Sequence, residues 1–281
     1  MKLEISAELK YIINSPGTLI LNIHALRTQK QTVLEETLLI EPYLKAEELT
    51  SEHGENRLLR LEVSEEKEIS ISYKAMVDNY YKEIDHTNQS TVPVGQLTTS
   101  VFPYLYPSRY CQSDKLYRFA KSKFGGIDNQ YLQVLALTDW IYRNVEYLSG
   151  STNSQTSAYD TVTELAGVCR DFAHVGIALC RALTIPARYF TGYAYKLNPQ
   201  DFHACFEVYI GNEWVLFDAT KLVPLNGLVK IATGRDAADS AVASLFGNVS
   251  CQSINVSCNI KEDNFEPFYY DSSKFIGLSY Q

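Results

Sequence analysis

Between Cys169 and Leu183 the chain is apolar on most helical faces. A helix with that pattern must sit centrally, wrapped by other elements, because no side of it suits water. Thr184-Ile185-Pro186 ends it, since the residue before a proline is pushed out of the α region. Three runs rich in aromatic and β-branched residues follow, Ala187 to Tyr195, His203 to Ile210 and Trp214 to Ala219, and these read as strands. A buried helix laid on consecutive strands makes this region α+β.

The chain before it follows another rule. Leu3 to Leu9, Thr18 to Ile23, Thr32 to Ile40 and Glu68 to Tyr73 alternate apolar and polar residues, the period of half-buried strands. Turn chemistry at Asn14-Ser15-Pro16-Gly17 and at Glu52-His53-Gly54-Glu55-Asn56 separates them, which suits an antiparallel all-β sandwich. The polar stretch Thr87 to Gly95 then breaks the alternation and marks a boundary. The expected division is an N-terminal β domain over 1–88 and an α+β domain over 89–281, with its core at about 128–240 and a C-terminal extension. Within the second domain, Gln130 to Tyr147 carries a one-sided apolar stripe, and Ser149 to Ser157 is a polar loop leading toward Cys169.

With 281 residues, 46% of them hydrophobic, the chain can fill real cores without covalent staples. Its six cysteines show no CxxC pair and read as free thiols in a reducing compartment. A net charge of −8 with scattered Lys and Arg argues against a nucleic-acid or anionic-membrane surface. Acids interrupt every apolar run at the N-terminus, and no segment is long and apolar enough to span a bilayer, so the expected location is the cytoplasm.

Chemistry concentrates around the buried helix. Cys169 follows Gly167-Val168 and opens the helix, where free N–H groups and the positive end of the dipole favour an anion. His174 is the nearest imidazole, but five helical residues rotate it by about 140° from the cysteine's face. It reads as a packed, locally bonded histidine, and a Cys169/His174 metal pair fails for the same reason. His203 shares a strand face with Cys205 and Glu207. If Gly211-Asn212 is a two-residue hairpin loop, Ile210 faces Glu213, Cys205 faces Asp218, and His203 becomes the diagonal neighbour of Asp218. A slip of one residue would turn Asp218 to the opposite face. Cysteine, histidine and carboxylate in that order fit a nucleophile, its base and an orienting acid.

These residues resemble the transglutaminase-like cysteine hydrolase superfamily, in the bacterial branch that carries an N-terminal β-domain. The likeness runs through Gly167-Val168-Cys169-Arg170-Asp171-Phe172-Ala173-His174, Ala178 to Leu183, Ile185-Pro186-Ala187-Arg188-Tyr189, His203-Ala204, Phe206-Glu207, Trp214 and Phe217-Asp218-Ala219-Thr220. It continues more loosely from Thr233 to Asp239, and over the N-terminal half only in pattern. The resemblance implies a papain-like α+β core with Cys169, His203 and Asp218 as catalytic triad, acting on a peptide or protein amide through a thioester. Cys205 departs from it, because many relatives carry tryptophan there. Water as acceptor makes the chain an amidase or peptidase and an amine makes it a transglutaminase, while a non-catalytic binding protein on this fold is the third reading. No cofactor and no metal are expected, since no EF-hand-like loop is present. The Cys169 N–H is the expected oxyanion donor, with Gln155 a candidate for the second. Gly234-Arg235-Asp236 reads either as cleft lining or as a loop with Asp236 near a helix N-cap. The tail from Cys251 to Gln281, with Phe265 to Tyr270, packs as strands on one of the domains or forms an oligomer contact.

Overall fold

A computed structural model of the chain describes residues 1–51, 56–64, 67–88, 91–271 and 273–281. The expected turn at 52–55 and residues 89–90 of the expected boundary lie outside the described residues. The N-terminal strands are β1 (Lys2–Ile13), β2 (Gly17–Leu21), β3 (Gln31–Glu41), β4 (Ala46–Thr50), β5 (Arg57–Val63), β6 (Glu68–Asn79) and β7 (Lys82–Asp85). Helices α1 (Ser113–Phe124) and α2 (Gln130–Asn144) follow, then the two-residue β8 (Glu146–Tyr147), α3 (Ala158–Glu164), the equally short β9 (Ala166–Gly167) and α4 (Cys169–Ala182). The remainder comprises β10 (Ala187–Ala194), β11 (Phe202–Ile210), β12 (Glu213–Phe217), β13 (Leu228–Gly234), α5 (Ala237–Ser240), β14 (Ala243–Phe246), β15 (Val249–Ile260) and β16 (Ile276–Ser279).

Alternation builds the sandwich as the sequence implies. Leu3, Ile5, Ala7, Leu9 and Tyr11 of β1 and Ile69, Ile71, Tyr73 and Val77 of β6 point into one core with Leu19, Leu21, Leu59 and Leu61 of β2 and β5. The two sheets run β15-β1-β6-β3 and β14-β2-β5-β4. The hydrogen bonding therefore does not divide the chain at 88/89: residues of β14 and β15 return to the sandwich, while β7 leaves it to pair with β16 in the second domain's sheet. The tail packs on both units. Both returning strands are sheet edges, and β15 buries only Val256 and Cys258, although Ile254, Val256, Cys258 and Ile260 alternate with polar residues.

The second sheet, ordered β13-β10-β11-β12-β16-β7, is covered on one face by the helices. α4 lies on β10 and β11, buried from Asp171 to Ala182 as its all-round apolar character requires. A Cβ on Gly176 would stand 2.6 Å from the Phe206 ring, so glycine sets how closely the helix approaches. Phe190, Cys205 and Leu216 face the other side, beneath Leu225, Leu228, Leu278 and Tyr280.

Two amide side chains fasten the sandwich to this sheet. Gln31 donates to the Lys230 carbonyl (2.8 Å) and accepts from its N–H (2.7 Å), and Asn56 does the same at Thr233 (2.7 and 2.9 Å). The edge of β13 thus finds its partners in these side chains and in the Leu26 N–H, which donates to the Lys230 carbonyl (2.9 Å).

Behind the same strands lies a buried ion cluster in which Glu207 accepts from Arg188 (2.6 Å) and Lys230 (2.7 Å). Burial would raise the Glu207 pKa, but the two cations outweigh it and hold it low. Arg188 also stacks over Trp214 at 4.2 Å. Glu207→Ala leaves two buried cations without their carboxylate. Chemical denaturation should show a loss of about 3–5 kcal/mol, whereas a loss below about 1 kcal/mol would mean that the cluster is solvated.

Candidate active site

Cys169 is the first residue of α4 and is half-buried. The turn that presents it is tied by Asp171, whose carboxylate accepts from the Val168 N–H (2.9 Å) and from the Thr152 hydroxyl (3.2 Å). This is a capping bond formed from the third helical position back to the residue before the helix. Gly167 permits it, because a Cβ there would lie 2.7 Å from that of Asp171.

The hairpin has the expected register. Gly211 and Asn212 both adopt positive φ (59° and 69°), the requirement of a type I′ turn, and Ile210 pairs with Glu213. Continued by one residue past the Phe206–Phe217 pair, that register sets Asp218 beside Cys205 and diagonal to His203. His203 Nε2 meets Asp218 Oδ2 at 3.0 Å, with both side chains buried.

Asp218 lies just past the end of β12, although the sequence pattern suggested a strand reaching Ala219. Its Oδ1 accepts from the Thr220 N–H (2.8 Å) and Thr220 Oγ1 (2.7 Å), a local turn that ends the strand and fixes the carboxylate. Its own N–H donates to the Tyr270 hydroxyl (3.1 Å), which in turn donates to the Leu216 carbonyl. An aromatic residue from the tail therefore holds the carboxylate strand in place. The sequence shows the aromatic run but not where it lands.

With Nε2 engaged by Asp218, the buried Nδ1 is the nitrogen left for Cys169. Burial disfavours the charged ring, yet Cys205, Asp218 and hydrogen bonds to Asp218 and Cys169 together raise the His203 pKa well above 6.5. Cys205 is itself buried, which pushes its thiol up to about 12, so at neutral pH the charge that sustains the imidazolium is that of Asp218.

Tyr147 was not legible in the sequence. In β8 it pairs with Gly167 of β9, its ring packs 5.7 Å from that of Phe172, and its hydroxyl is perturbed by the neighbouring Cys169. Burial and the neighbouring sulfur push it up to about 12, so it remains a protonated donor. Gln155 is elsewhere engaged, accepting from Arg109 (2.8 Å). His174 sits buried between Tyr110 and Tyr189, accepts from the Ala237 N–H (3.2 Å) and is held well below 6.5 by burial and then by Arg170 and Arg181. Of the two readings of Gly234-Arg235-Asp236, the helix start holds: Asp236 caps α5 and Arg235 pairs with Asp239 (2.8 Å). One cluster among the described residues has metal-ligand chemistry, with the donor atoms of His203, Cys205 and Asp218 within 4.8 Å of one another.

Residues 1–100 match the family described as bacterial transglutaminase, N-terminal domain, and residues 117–219 match the transglutaminase-like superfamily. A crystal structure of a candidate cysteine protease from Cytophaga hutchinsonii is 60% identical, with a TM-score of 0.98 over 100% of this chain and 98% of that one. The periplasmic domain of TgpA from Pseudomonas aeruginosa is 13% identical over 76% of this chain and 90% of its own, with a TM-score of 0.40. An uncharacterized protein of Mycobacterium leprae is 30% identical over 117 residues, 38% of this chain, and the chain spans 42% of that protein's length.

Asp218→Asn removes the charge that sustains the imidazolium while keeping the side-chain shape. NMR titration of the His203 ring should show a pKa above 6.5 in the wild type, falling in the variant. Equal values in the two proteins would contradict the assignment of the shift to Asp218.

Proposed function

We propose that this chain, which belongs to the transglutaminase-like superfamily, is a cysteine-dependent amide hydrolase with Cys169, His203 and Asp218 as its catalytic triad. The observation that carries the reading is the buried His203–Asp218 contact, which leaves Nδ1 to face a half-buried cysteine at a helix start.

Cys169 attacks the amide carbonyl as thiolate, and the developing oxyanion takes the Cys169 N–H and the Tyr147 hydroxyl. Tyr147 is supported as the second donor by its place beside the helix start, where β8 pairs with β9 and its hydroxyl is perturbed by Cys169. His203 as imidazolium protonates the leaving amine. The thioester that remains is opened by water, with His203 now neutral and taking the water's proton, and a carboxylic acid leaves. Asp218 holds the ring and its tautomer throughout.

Acyl transfer to an amine shares every step up to the thioester, and the match of residues 1–100 to a bacterial transglutaminase domain supports it as the second reading. Hydrolysis ranks first because water is the default acceptor and because the Cytophaga hutchinsonii relative is described as a cysteine protease candidate.

A peptide library that includes glutaminyl peptides, assayed by mass spectrometry with a labelled primary amine present, tests both. Cleaved or deamidated products support hydrolysis, and amine adducts support transfer. Cys169→Ala should abolish either product, and retained activity in that variant would end the proposal. Tyr147→Phe should lower kcat about 100-fold with a much smaller change in KM.

A further inference from the structure

We propose that Cys205, His203 and Asp218 form a binding site for a thiophilic divalent cation such as zinc, and that filling it switches the active site off. The inhibitory half of this proposal rests on the hydrolase reading. The binding half does not.

The three donors suit such an ion in number and kind. Thiolate, imidazole and carboxylate are all zinc ligands, and catalytic or inhibitory zinc takes three protein donors and a water. Their donor atoms already lie within 4.8 Å of one another, so modest side-chain movements bring them to a common centre. One thiolate and one carboxylate balance a dication, so the filled site is electrically neutral in a fully buried place. A cavity of about 40 Å³ lies beside Asp218, lined also by Lys221, Val223, Leu225, Tyr269 and Tyr270.

The nitrogen that faces Asp218 is Nε2, so Nε2 is the ligand atom. Starting from imidazolium and thiol, the cation displaces the Nε2 proton of His203 and the Sγ proton of Cys205, and both leave to solvent. The ring then keeps a single proton, which must sit on Nδ1. An imidazole in that state has no nitrogen free to take the Cys169 proton, and its bond to Asp218 is replaced by a bond to the metal. The triad therefore loses its base while Cys169 itself stays unliganded. Cys205 has no assigned part in the chemistry of the triad, which makes it the residue that separates the two functions.

Binding is tested with Co²⁺ on chelator-treated Cys169→Ala protein, which removes the nucleophile as a competing ligand. One equivalent should produce a thiolate-to-cobalt absorption band that Zn²⁺ then bleaches. Adding either Cys205→Ala or His203→Ala should weaken binding by more than the about 10–100-fold that loss of an outer-sphere partner costs. Circular dichroism confirms that each variant is folded. Absence of the band in Cys169→Ala, or its persistence without Cys205, overturns the site. On the Cys169-containing chain, Zn²⁺ should inhibit turnover, and Cys205→Ala, scored against its own metal-free rate, should need at least about tenfold more Zn²⁺. Equal sensitivity overturns the switch. The cobalt measurement needs no turnover, so it decides the binding half even if the chain proves not to be a hydrolase.

Discussion

The register of β11 against β12 decides which side chains this chain can bring together. Two residues at positive φ, Gly211 and Asn212, close the turn, and from there the pairing counts back without a bulge to Phe206 and Phe217. Everything beyond that point is forced by the pleat. Cys205 and Asp218 come side by side, and His203 falls on the same face as both. A third loop residue would have sent Asp218 to the helix side of the sheet and left His203 without a partner. Thr220 and Tyr270 then hold Asp218 where the register delivers it.

A second constraint brings the cysteine to that point. α4 must reach the sheet closely enough for its first residue to meet a side chain on β11; Gly176 allows that approach against Phe206, and Gly167 admits the Asp171 bond that ties the turn before the helix. The helix is rigid because it is buried from Asp171 onward, so Cys169 inherits its position from the core. The sandwich contributes by bracing. Gln31 and Asn56 satisfy the open edge of β13, and β14 and β15 return to form an outer strand of each N-terminal sheet, so the two units are held by crossing chain as well as by contact.

Much of this was legible because it rests on strong local signals. Alternation found β1, β2, β3 and β6, the all-apolar run found α4, and the Gly-Asn dipeptide with its flanking residues fixed the hairpin that unites His203 and Asp218. Helical rotation set His174 aside, and the structure packs it between two tyrosines. The failures are equally physical. β15 is an edge strand in which Ile254, Val256, Cys258 and Ile260 do alternate with polar residues, but nothing local shows that this run returns to pair with β1 at the other end of the chain. Tyr147 sits in a two-residue strand, too short for any pattern, and its meeting with Cys169 depends on the parallel pairing of β8 with β9. Tyr270 reaches Asp218 from 52 residues away, a closure that no local rule encodes.

The central claim is that His203 activates Cys169, and site-resolved alkylation measures it most directly. Iodoacetamide labelling can be followed by mass spectrometry at Cys169 and at the exposed Cys251, which serves as a comparison thiol within the same chain. Near pH ~6, where an ordinary thiol is almost wholly protonated, Cys169 should label at least about tenfold faster than Cys251, and His203→Ala should erase that advantage. Labelling of Cys169 no faster than Cys251, or an advantage that survives the loss of His203, would contradict the account.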